Sequence, residues 1–137
     1  MALKNYAIEN EEEYYGQNFE KDGVVSVWLG FTVDVDEPEN LDVLQDLCGV
    51  GYYDIDNQES NTFNFESVPI SELLEDLSYA ESFSKEVESS ANILNLFKAK
   101  WVLVQYDFEY EPSKVTRECA LDPVFIGVFS YSENNEL

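Results

Sequence analysis

Histidine is absent from this 137-residue chain, and lysine and arginine together number 7 against 29 aspartates and glutamates. Without histidine there is no Ser-His-Asp or Cys-His nucleophile system and no HExxH zinc helix. The scarcity of cations disfavours direct nucleic-acid binding, whose affinity rests on Lys and Arg neutralising phosphates. It disfavours anionic membrane surfaces for the same reason. No stretch approaches the ~18 apolar residues of a membrane span, and Met1 to Tyr6 carries no apolar leader core before Glu11-Glu12-Glu13. The chain is therefore expected in the cytoplasm. Cys48 and Cys119, far apart and each in apolar surroundings, are expected to be reduced and mostly buried, and without histidine they make a poor zinc site. The six glycines build no P-loop and no GxGxxG, since Gly49-Val50-Gly51 lacks the third glycine and the preceding strand. No cofactor and no metal are expected.

What is present is charge on a foldable chain. The formal net charge is −22, yet 45% of residues are hydrophobic, with nine Phe, nine Tyr and two Trp. Disorder goes with few aromatics and low hydrophobicity, so this composition specifies a core. At this length a folded domain buries roughly 68% of its unfolded surface, and one domain is expected. From Asp22 to Ser84 there are fifteen acids and no lysine or arginine. Self-repulsion on that scale destabilises a compact state, which points to partners that use the field: a basic protein, a protein that normally binds nucleic acid, or cations.

Residues 1–23 read as an acidic N-terminal arm, 24–132 as one domain and 133–137 as a polar tail. Val24 to Val33 is a strand, with Val25, Val27, Leu29, Phe31 and Val33 on one face and Trp28 on the other, so both faces are expected to be covered. Asp34-Val35-Asp36-Glu37-Pro38 reads as a helix start, followed by Leu41, Leu44, Leu47 and Cys48 at helical spacing and a glycine stop. Short strands are expected at Tyr52 to Ile55 and Thr62 to Phe65. Ser71 is a candidate cap for Glu72 to Leu77. Ser78-Tyr79-Ala80-Glu81 matches a capping box before a stripe of Phe83, Val87, Ala91 and Leu94. Extended segments follow at Trp101 to Tyr110, with Val102, Val104, Tyr106, Phe108 and Tyr110 on one face, and at Val124 to Tyr131. Gly30 and Gly127 inside strands mark a bulge or close packing. Strands and helices without regular alternation argue a single α+β domain, a mainly antiparallel sheet of about 4–6 strands packed with 2–3 helices.

Calcium would need six to eight oxygens. A twelve-residue EF-hand frame from Asp54 puts Glu59 where the turn glycine belongs and Phe65 where the bidentate glutamate belongs, so only an irregular site remains open. A carboxylate pair could do acid–base work, but in so acidic a chain a pair carries little information, and no catalytic residue is assigned. In Tyr52-Tyr53-Asp54-Ile55-Asp56-Asn57-Gln58-Glu59, a strand with Tyr53 and Ile55 inward would leave Tyr52, Asp54 and Asp56 on the opposite face. Rigid aromatic area beside carboxylates suits an interface with a basic partner. A solvated sheet face is the plain alternative, as helix capping is for Asp34, Asp36 and Glu37.

In order along the chain, Val27-Trp28-Leu29-Gly30, the acidic helix, the Tyr52 to Glu59 segment, Val102 to Tyr110 and Phe125 to Tyr131 resemble the bacterial immunity proteins of polymorphic-toxin and contact-dependent-inhibition systems. The twenty-second immunity family is the one they resemble most. That family tends to carry a histidine between the two aspartates, where this chain has Ile55. The resemblance implies a non-catalytic cytoplasmic inhibitor that binds one cognate toxin domain. A basic nuclease is the expected target, its cleft occluded by an acidic face comprising Asp34, Asp36, Glu37, Tyr52, Asp54, Asp56 and Glu59. The alternative is a nucleic-acid-mimicking inhibitor or adaptor of a host nucleic-acid-binding protein. Oligomeric state is left open, although −22 per chain argues against self-association through the acidic face.

Overall fold

The computed structural model describes residues 16–31, 42–62 and 66–132. Its architecture is α+β. Strands β1 (Glu20–Gly30), β2 (Gln58–Thr62), β5 (Trp101–Phe108) and β6 (Val124–Ser130) form an antiparallel sheet in the order β2-β5-β1-β6. A two-stranded ribbon pairs β3 (Val68–Pro69) with β4 (Lys98–Ala99). The helices are α1 (Ile70–Leu74), α2 (Ser84–Ile93) and a π-helical turn at Val43–Leu47.

The central pair β1 and β5 is buried on both faces, as the near-continuous apolar runs in the two strands require. On one face Val25, Val27, Leu29, Val102, Val104 and Tyr106 pack under the helices, against Leu73, Leu74, Phe83, Val87 and Ala91. The stripe expected on α2 is buried through Ala91, but Leu94 lies past the helix end and is half exposed. The opposite face carries Trp28, Trp101 and Leu103 beneath Phe19, Leu44, Cys48, Val50 and Tyr110. Trp28 stands at the centre of that layer, with Tyr110 at 5.0 Å and Phe125 at 5.3 Å between ring centroids.

The alternation in β5 holds only as far as Tyr106. Asp107 adopts φ +56°, one of the few non-glycine residue types that tolerates the left-handed region. That bulge reverses the parity, so Phe108 and Tyr110 join the Trp28 face instead of the face of Val102 and Val104. Ser26 Oγ stitches it by donating to Phe108 O at 2.6 Å and accepting from Tyr110 N at 3.0 Å. Gly23, at φ +84°, takes up the matching slack in β1 and donates its N–H to Asp107 Oδ1. The strand therefore begins at Glu20, four residues before the apolar run, and Phe19 is buried.

Both strand glycines have structural causes. A Cβ on Gly30 would overlap the Trp101 indole. Gly127, at φ +155°, sits where the β1–β6 register slips between Val27 and Trp28. Other expectations are corrected. Tyr52 to Ile55 is not a strand, and β2 begins instead at Gln58; residues 63–65 lie outside the described ones, as does the helix start at Asp34 to Pro38. Pro69, not Ser71, precedes α1, because its fixed φ suits the entry to a helix. Ser78 makes no capping box; a left-handed Tyr79 leads into a 3-10 turn at Ala80–Ser82 before α2. Both cysteines are free, but only Cys48 is buried; Cys119 is exposed and donates its thiol to Cys48 O at 3.4 Å.

Candidate partner-binding site

The segment that carries Tyr52 to Asp56 is fastened by side chains that satisfy its backbone. Asp42 opens the π-helical turn by accepting from Gln45 N at 3.0 Å, and its other oxygen accepts from Tyr53 OH at 2.8 Å. Buried Gln17 closes the far end, donating to Gly49 O and accepting from Gly51 N, each at 2.9 Å. Gly49 turns the chain at φ +72°. Asp54 then accepts from Asp56 N at 3.0 Å and caps a 3-10 turn at Ile55–Asn57. Short acids favour such caps over strand conformations, which is why the expected strand fails. Gln105, fully buried in β5, donates to Asp54 O at 2.7 Å and ties the turn to the sheet.

The consequence is a projecting acidic knuckle instead of a strand face. Tyr52 is 58% exposed, Ile55 is 61% exposed and not inward, and Asp54 and Asp56 are exposed. Tyr53 is the inward member, packed against the Trp28 layer. Glu59 behaves differently. Its Oε1 accepts from Ser78 N at 2.9 Å and Tyr106 OH at 2.7 Å, and its Oε2 accepts from Ser78 Oγ at 2.9 Å. It thus clamps β2 to the Ser78 turn. Asp34, Asp36 and Glu37 lie outside the described residues.

Beyond the knuckle lies a cavity of about 210 Å³ whose walls include Asp56, Glu59 and Asp107 with Tyr79, Tyr106 and Tyr131. The rings touch one another: Tyr106–Tyr131 centroids are 4.9 Å apart, Tyr79–Tyr106 5.5 Å and Tyr79–Tyr131 5.6 Å. Tyr131 OH donates to Asp107 Oδ1 at 2.8 Å, the oxygen that also receives Gly23 N–H. Sequence reasoning reached Asp56 and Glu59 but missed Tyr79, Tyr106, Asp107 and Tyr131. Tyr79 falls within a capping-box pattern and Tyr106 within the strand alternation, and neither pattern marks a surface site. The available signal was the Tyr-Asp pair at Tyr106-Asp107, which repeats Tyr53-Asp54; Tyr79 and Tyr131 have no acid beside them in sequence.

Burial raises the pKa of several groups here. The Tyr106 hydroxyl is held protonated by burial first and then by its bond to Glu59; Tyr53 by burial and then Asp42; Tyr110 by burial and then Cys119. Burial, with charge on Cys119 and Asp42 adding, pushes the Cys48 thiol up to about 12. A folded-state pKa above the unfolded value gives stability that is complete below the unfolded pKa and lost as pH climbs past it. With ordinary values of 9.0 for the thiol and 10.0 for the phenols, the loss is expected to begin near pH 9 and grow to pH 12. Urea midpoints at pH 7, 9 and 11 measure it; a flat midpoint through pH 11 would contradict the burial assignments.

Among the described residues no three acids or thiols come together closely enough to hold a metal ion. No described helix is long and apolar enough to cross a membrane. Comparison with protein families matches residues 42–132 to the family described as Immunity protein 22, a span containing the knuckle and every cavity wall named above. No curated protein and no solved structure matches the chain.

Proposed function

Because the chain belongs to the Immunity protein 22 family, we propose that it binds and neutralises a cognate antibacterial toxin domain in the cytoplasm, as an inhibitor and not an enzyme. The target best suited to it is a nuclease, whose cleft must be electropositive to hold phosphate. The acidic face that includes Tyr52, Asp54 and Asp56 would occupy that cleft, with Glu59 fixing the turn beside it and Asp34, Asp36 and Glu37 extending the acidic field. The observation that carries this reading is the exposed knuckle itself, where acids and Tyr52 project together from a turn anchored by buried Gln105.

Such complementary fields accelerate encounter, to ~10⁸–10⁹ M⁻¹s⁻¹ at low salt. The full chain used as bait in its own cells is expected to capture one toxin domain with a basic surface. Its association rate is expected to fall at least about tenfold between 50 and 500 mM NaCl, since screening shortens the Debye length to a few ångströms. A partner lacking a basic surface, or an association rate indifferent to salt, would remove the electrostatic mechanism. Capture of a host nucleic-acid-binding protein in place of a toxin would replace this reading with nucleic-acid mimicry.

A further inference from the structure

We propose that the tyrosine-walled cavity beside the knuckle receives the guanidinium of an arginine side chain. That the arginine belongs to a toxin domain rests on the function proposed above; that the cavity selects a guanidinium does not. At about 210 Å³ the space is smaller than the roughly 300–1,000 Å³ of sites for drug-sized molecules, and fits a side-chain head.

Its acceptors outnumber its donors. The single Tyr106 hydroxyl proton lies between Glu59 Oε1 and Ser78 O, the latter at 2.5 Å, and Tyr131 OH is committed to Asp107 Oδ1. Asp107 Oδ2 and both carboxylate oxygens of Asp56 receive no hydrogen bond among the described residues. The ion pairs among those residues, Lys21–Glu109 and Lys114–Glu111, involve none of the three cavity acids. A ligand must therefore bring both positive charge and several donors. A metal ion is a poor candidate because the carboxylates do not converge on one point. A planar fork with five N–H groups matches carboxylates bidentately and lies flat on a ring, whereas an ammonium gathers its three donors around one strongly hydrated point. The half-buried rings of Tyr79 and Tyr131 border the same space, and guanidinium stacks on aromatic faces.

The test is an NMR titration of the full chain with N-acetyl-arginine amide, in parallel with the citrulline and lysine analogues. Arginine is expected to give saturable shifts centred on Tyr79, Tyr106, Asp107 and Tyr131, citrulline none, and lysine at least tenfold weaker binding. Asp56→Asn with Asp107→Asn should weaken the arginine response at least tenfold without disturbing the rest of the spectrum, since Asn keeps an acceptor and tolerates φ +56°. Shifts spread over the whole acidic surface, an equal response to citrulline or lysine, or indifference to the double substitution would overturn the assignment. Against the captured toxin, the same variant should lose at least tenfold in affinity. An unchanged affinity would detach the cavity from the toxin and leave the inhibitor role standing, whereas failure to capture any toxin would remove that role and leave the titration to decide the cavity.

Discussion

Gly30→Ala is expected to lose at least about 3 kcal/mol of folding stability, the upper range for forcing an extra methyl into a packed core. The residue ends the interior strand β1, paired with Trp101 at the start of β5, and the new Cβ would occupy the volume of the Trp101 indole. Neither partner can give way easily. The neighbouring Leu29 is paired with both β5 and β6, Gly30 O accepts from Lys100 N at 2.9 Å, and Trp101 is 2% exposed within the Trp28 layer. Against a total of 5–15 kcal/mol for an ordinary domain, this change alone threatens the fold. Gly23→Ala is the control, because Gly23 has the strained φ of +84° but open space around its Cβ position. It should cost only about 1 kcal/mol, the penalty of a left-handed residue without a clash. Urea unfolding of both variants separates the two causes; a Gly30→Ala protein as stable as Gly23→Ala would sink the steric argument.

Trp28→Ala is expected to cost about 3–5 kcal/mol, as for other buried aromatic deletions. Trp28 is 1% exposed and touches Tyr110 and Phe125. Tyr110 in turn packs on Phe19 and donates to Cys48 O at 2.8 Å, so the cavity left behind would open under the segment that presents the knuckle. Partner affinity should therefore fall with stability even though no charge is altered. Trp28→Phe, which keeps a ring, should recover most of both. A loss below 1 kcal/mol for the alanine variant, or full partner affinity in a protein so destabilised, would show that the second layer does not support the knuckle.

The α+β class, the two covered sheet faces and the reasons for Gly30 and Gly127 were legible because they rest on period-2 patterns in Val24 to Phe31 and Trp101 to Tyr106, where local spacing and burial agree. Segments governed by side-chain capping were not. Tyr52 to Ile55 has the composition of a strand, and Asp54 turns it by bonding to Asp56 N. Ser78 resembles a cap and is instead gripped by Glu59, nineteen residues away.

The sequence by itself determined that this protein is a folded, cation-poor domain with no histidine chemistry, since composition and charge depend on no contact. It also located where acidity and aromatic surface meet. Only the tertiary structure decided which of those acids are available. Glu59 spends its oxygens inside the molecule, Asp56 spends none on a described residue, and Asp107 is brought beside them from β5 with the tyrosines of three segments. Such a site is built by strand pairing across more than forty residues and by a left-handed bulge at Asp107. Neither leaves a periodic trace, because each is a choice between conformations whose local energies differ by little more than 1 kcal/mol and which long-range packing settles.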